Sequence, residues 1–80
     1  MRLTAEFTTE PFVGEGEPPT HATRALEAAE AAGLDCSFGP LGTTVSGESG
    51  ALLDALGSVL GAAFAHGATR VTLQVEPADG

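Results

Sequence analysis

Eighty residues make one domain's worth of chain. Three arginines, no lysine and 11 carboxylates give a formal net charge of −8, which excludes a nucleic-acid binder and an anionic-membrane binder, since both need clustered cations. A single cysteine, Cys36, excludes an internal disulfide framework. With 42% hydrophobic residues, four Phe and no Ile, Trp or Tyr, the core must be built from Ala, Leu and Val. A chain this short buries only about 60–65% of its unfolded surface, so a lone copy is marginally stable and self-association is expected. No apolar run approaches the roughly 20 residues of a membrane span, and no basic stretch precedes an apolar one at Met1. A cytoplasmic location, where a lone thiol stays reduced, is the expectation.

The first predicted element is a strand over Arg2 to Thr9. Leu3, Ala5 and Phe7 alternate there with Thr4, Glu6 and Thr8. Glu10 to Pro19 reads as a loop, with two Gly, three Pro and three Glu. Thr20 is placed to cap a helix running through Ala32, whose apolar stripe is Ala22, Ala25, Leu26, Ala29 and Ala32. Gly33 fits the position just past its end, where positive φ is needed. Two short strands follow, Leu34 to Phe38 and Thr43 to Ser46, separated by Gly39-Pro40 and closed by Gly47. Ser49 is placed to cap a second helix over Gly50 to Ala65, with Leu52, Leu53, Leu56, Val59, Leu60, Ala63 and Phe64 as apolar positions. Gly57 and Gly61 each cost about 1 kcal/mol against Ala inside a helix, and their shared face permits close approach of another backbone. Arg70 to Glu76 alternates as a last strand, and residues 77–80 form a tail.

The order β-α-β-β-α-β is that of a ferredoxin-like α+β sandwich. It implies one domain over residues 1–80, with a core of about 2–76. Two helices cover one face of a four-stranded antiparallel sheet, and right-handed crossovers fix the strand order as 4-1-3-2. The other face carries Thr4, Glu6, Thr8, Thr72, Gln74 and Glu76.

Chemistry-bearing residues are sparse. His21 and His66 sit at the ends of different helices with no set of metal-ligating neighbours, so no metal site is expected. Cys36 reads as a small buried apolar residue and lacks the second cysteine of a metal-gripping pair. No serine has a nucleophile elbow or a nearby histidine, so an enzyme is not expected. The glycine loop Val13-Gly14-Glu15-Gly16-Glu17 has the wrong charge to cradle a phosphate. Glu6, Glu10, Glu15 and Glu17 fall in one stretch without a positive charge, either a solvated loop or a rim that attracts a small cation. The segment Gly39 to Glu48 brackets a strand with glycines, beside hydroxyls and a carboxylate. It is either a simple hairpin or a place where a ligand meets the backbone.

Several motifs resemble those of the small thiamine-binding protein family. They are Ala5-Glu6-Phe7 followed by Pro11, then Ala32-Gly33-Leu34, then Pro40-Leu41-Gly42-Thr43-Thr44-Val45-Ser46-Gly47-Glu48, then Gly67-Ala68-Thr69-Arg70-Val71. The chain departs from the family pattern at Ser46, where Glu is usual, at Leu60, where a His is frequent, and in lacking a closing Arg. The resemblance implies a non-catalytic binder of thiamine or its hydroxymethylpyrimidine moiety that assembles as a dimer or tetramer, with no cofactor beyond that ligand. It implies a site drawn from Phe7, Glu10, Phe38, Thr43, Thr44, Ser46 and Glu48. The competing expectation is a structural or regulatory oligomeric module with a vestigial pocket, favoured by the changes at Ser46 and Leu60.

Overall fold

The computed structural model describes residues 1–11, 16–39 and 42–78. The elements are β1 (Arg2–Glu10), α1 (Thr20–Ala31), β2 (Asp35–Gly39), β3 (Gly42–Glu48), α2 (Ser49–Ala65) and β4 (Arg70–Pro77). One antiparallel sheet has the order β2-β3-β1-β4, which is the expected 4-1-3-2 read from the opposite edge. The ferredoxin-like α+β fold follows from this order and from the two helices.

Odd-numbered residues of β1 face the helices. Leu3, Ala5 and Phe7 are buried there beside Val45, and Leu73 packs against the same cluster. Burying each large aliphatic or aromatic side chain contributes about 1.5–3 kcal/mol. The helices meet this face with small residues. Ala25 and Ala29 of α1 pack with Leu52, Ala55, Val59 and Ala63 of α2. On α2 this stripe recurs at three and four residues, as a helix presenting one face requires.

Both helices end in the same way. Leu34 N–H donates to Ala29 O and Gly33 N–H to Glu30 O, while Ala68 N–H donates to Ala63 O and Gly67 N–H to Phe64 O. These are paired Schellman closures, which require a left-handed residue after the helix. Gly33 (φ 81°) and Gly67 (φ 104°) supply it.

Several expectations are corrected. Thr20 and Ser49 are the first helical residues rather than caps; Pro19 and Glu48 hold the cap positions, with no side-chain cap bond. β3 runs from Gly42 to Glu48, longer than expected, because β1 pairs with it from Thr43 to Glu48 and β2 holds Gly42 opposite Gly39. Leu53 and Phe64 are exposed, since the packed stripe of α2 passes through Leu52 and Ala63 instead. Ala32 is likewise exposed, just past the last turn of α1. Cys36 is half-buried at an edge strand and not fully enclosed. The loop residues 12–15, Pro40, Leu41 and residues 79–80 lie outside the described residues. Among the described residues, no helix is long and apolar enough to cross a membrane.

Candidate functional site

The strand period that buries odd positions of β1 turns the even ones outward. The register sets Thr4 between Ser46 and Glu76, and Glu6 between Thr44 and Gln74. Hydroxyls, an amide and two carboxylates therefore share the open face of the sheet. Thr4 Oγ1 and Ser46 Oγ lie 3.2 Å apart and share a hydrogen bond.

Two shallow hollows lie on this face. One of about 90 Å³ is lined by Thr4, Glu6, Thr44, Gln74 and Glu76. The other, about 210 Å³, is lined by Glu6, Phe7, Thr8, Thr72 and Gln74. Each is smaller than the roughly 300–1,000 Å³ of an ordinary ligand pocket. They share Glu6 and Gln74, so together they form one trough along β1 and β4.

The electrostatics of the trough are one-signed. The three arginines pair elsewhere: Arg2 with Asp35 at 3.2 Å, Arg24 with Glu27 at 3.3 Å, and Arg70 with Glu10 at 3.6 Å. Among the described residues, neither Glu6 nor Glu76 takes part in an ion pair. Their carboxylates are available to a cation from solution, and no arginine lines either hollow.

The residues singled out in the sequence do not all converge. Thr44 and Ser46 lie on the open face. Glu10 lies on the same face at the end of β1, held by Arg70. Glu48 closes β3 and binds the amino terminus of Met1 at 3.2 Å. Phe7 (2% exposed) and Thr43 (3%) are instead buried on the helix-covered side, and Phe38 lies at the β2 edge opposite Thr43. The glycines around β3 are accounted for by the chain itself. A Cβ at Gly42 would lie 2.9 Å from Thr8 Cγ2 and 3.0 Å from Phe7 O, and one at Gly47 would lie 2.6 Å from Leu34 Cδ2. Close approach here is internal packing. Glu6, Gln74, Glu76 and Thr4 complete the face; the signal for them was the period-two alternation of β1 and β4, read across strands.

Two further polar groups belong to the covered side. His21, in the first turn of α1, is 3% exposed, and its Nδ1 lies 2.7 Å from Thr9 Oγ1. Its Nε2 has no partner among the described residues. The pair fastens the start of α1 to the end of β1. Cys36 Sγ donates to Leu34 O at 3.5 Å. Burial pushes its thiol pKa up, helped by the nearby carboxylates of Glu30 and Asp35. Among the described residues, no cluster of His, Cys, Asp and Glu is arranged to hold a metal ion.

The profile of the thiamine-binding protein family matches residues 5–78. The chain belongs to the thiamine-binding protein family. No curated relative matches the sequence. Among solved structures, the chain is similar to one from Thermotoga maritima described as a "putative thiamine biosynthesis/salvage protein". The two are 26% identical, with a TM-score of 0.68 over 95% of this chain and 81% of that one. A domain of unknown function from Bacillus cereus is 24% identical, with a TM-score of 0.67 over 94% of this chain and 72% of that one. A Streptococcus pneumoniae protein at 18% identity and a TM-score of 0.70 covers 95% of this chain and 83% of its own, and shares the fold. Within β3, Thr44, Ser46 and Glu48 share the parity of the open face, and Ser46 stands where the chain departs from the pattern.

Proposed function

We propose that this protein binds thiamine or its hydroxymethylpyrimidine moiety without transforming it, and does so on the open face of the sheet. The observation that carries the reading is the unpaired acidic trough, in a chain of the thiamine-binding protein family. Thiamine carries a fixed positive thiazolium, and Glu6 and Glu76 stand free to meet it. Its aminopyrimidine needs paired donors and acceptors, which Gln74, Thr44, Thr4 and Ser46 supply at neighbouring register positions. Each such contact contributes about 0.5–1.5 kcal/mol net, more where a charge takes part. Micromolar affinity corresponds to about 8 kcal/mol, so several contacts must act together. Phe7, buried under the helices, does not offer its ring as a flat wall to this face. A cytoplasmic place of action belongs to the same reading.

The test is a thermal-denaturation panel followed by circular dichroism. Thiamine at a hundred times its dissociation constant stabilises by about 2.7 kcal/mol, which for a domain of this size raises Tm by roughly 10–20 °C. Glu6→Gln is expected to weaken thiamine about tenfold or more while weakening neutral hydroxymethylpyrimidine less, since a charged contact contributes about 1.5–3 kcal/mol. An unchanged melting curve across both ligands rejects the reading and favours a structural module, which the small size of the hollows would then explain.

A further inference from the structure

Thiamine carries a primary hydroxyl that is either free or esterified to phosphate, and a phosphate monoester brings roughly −1.5 to −2 charges at neutral pH. Proteins hold phosphate with backbone N–H groups, with a helix N-terminus, or with Lys and Arg. The trough on the open face has none of these. Backbone N–H groups of a sheet point along it toward neighbouring strands, while side chains stand up from it. Those of β1 from Leu3 to Phe7 lie between two paired strands, so no amide there turns up toward a ligand. Both helices, and with them both helix N-termini, belong to the opposite side of the sheet. The chain has no lysine, and among the described residues neither hollow is lined by Arg or His.

Two arginines share the open face by strand parity, one beyond each end of the trough. Arg2 stands two residues before Thr4, and Arg70 two residues before Thr72. Each is answered by a carboxylate, Asp35 at 3.2 Å and Glu10 at 3.6 Å. A phosphate that reached either arginine would displace that carboxylate and leave it close beside the phosphate. Between these ends the donors are neutral: the hydroxyls of Thr4, Thr8, Thr44 and Thr72 and the amide of Gln74. Glu6 pairs with Gln74, which sets Glu6 and Glu76 on a diagonal of the β1–β4 ladder. Such diagonal positions are about 7–8 Å apart, and a phosphate between them meets like charge from both sides. We infer that this trough takes the free alcohol and rejects its phosphate esters, an inference that rests on the thiamine-binding reading. Hydroxyls and an amide serve an alcohol as well as water does. The ester finds repulsion and no charged donor, so the protein holds the unphosphorylated form of its ligand.

The test is isothermal titration calorimetry with thiamine, thiamine monophosphate and thiamine diphosphate at low salt. Thiamine is expected to bind about tenfold or more tighter than the monophosphate, and the diphosphate no better than the monophosphate. At about 1 M salt, where the screening length falls to about 3 Å, the gap is expected to narrow. Glu6→Gln combined with Glu76→Gln is expected to narrow it as well, weakening thiamine and improving the ester. Thr72→Lys sets one cation among the neutral donors of the second hollow, and is expected to improve the monophosphate about tenfold relative to thiamine. Far-UV circular dichroism checks that both variants fold. A monophosphate that binds the wild-type chain as tightly as thiamine overturns the inference and leaves the thiamine reading standing. A preference for thiamine that neither variant changes also overturns it, because lack of room then explains the preference. Absence of binding by all three ligands removes the thiamine reading, and this inference with it.

Discussion

The two faces of the sheet are made by the same strands and obey opposite rules. On the covered face Leu3, Ala5 and Phe7 lie under α1 and α2; of the buried polar side chains Thr9, His21 and Thr43, the first two hydrogen-bond to each other, while His21 Nε2 has no partner among the described residues. On the open face lie Thr4, Glu6, Thr44, Gln74 and Glu76, and among the described residues neither carboxylate takes part in an ion pair. The covered face has spent its side chains on packing. The open face keeps chemistry that packing did not need and that a ligand from solution can reach.

Substitutions on each face in turn test this division. Leu52→Ala empties a fully buried position and is expected to cost about 2–5 kcal/mol, a large share of the roughly 5–15 kcal/mol of an ordinary domain. Thr72→Ala on the open face is expected to change stability by no more than about 0.5 kcal/mol. Urea unfolding followed by far-UV circular dichroism measures both, and comparable losses would refute the division. An effect between these two is expected from Thr9→Val, which leaves both ring nitrogens of His21 without a partner among the described residues and costs about 1–3 kcal/mol. Combining it with His21→Leu is expected to recover much of that loss, because the polar pair is then replaced as a whole.

The smallest effect lies at Cys36. Its thiol pKa is raised in the folded chain, so the folded state holds the proton more tightly than the unfolded one. The stability this contributes is fully present below the unfolded thiol pKa and is lost as pH rises through the folded one. Alkylation of Cys36 by iodoacetamide is therefore expected to run more slowly than for a free thiol at mildly alkaline pH. Unfolding in urea restores the free-thiol rate; equal rates in both states would contradict the shift.

Much of the fold was legible because alternation and helical spacing are local. The run Leu3 to Thr8 announced a half-buried strand, and Gly33 and Gly67 announced helix ends that only a left-handed residue can close. The strand order followed from handedness once the elements were known. The caps were misplaced by one residue because Thr20 and Ser49 look like caps in sequence, whereas the chain enters both helices from extended residues just before them. Phe64 and Leu53 were expected inside because hydrophobicity marks a candidate face without saying which stripe the neighbouring helix covers.

The candidate site was only half legible. Thr44 and Ser46 stood out as hydroxyls in the glycine-bracketed segment Gly39 to Glu48, but neighbours in sequence alternate faces in a strand, so Thr43 and Thr44 part company although adjacent. Glu76 is joined to Thr4 by register across strands, which no spacing along the chain reveals. By itself the sequence determined which elements form, where the helices stop and how much negative charge the molecule carries, since these depend on side-chain type and local backbone geometry. Which carboxylates stay unpaired among the described residues, which side of the sheet is dry and which edge is left open follow from how the elements pack together. Those are properties of distance between remote residues, and distance is set by the packing of the whole.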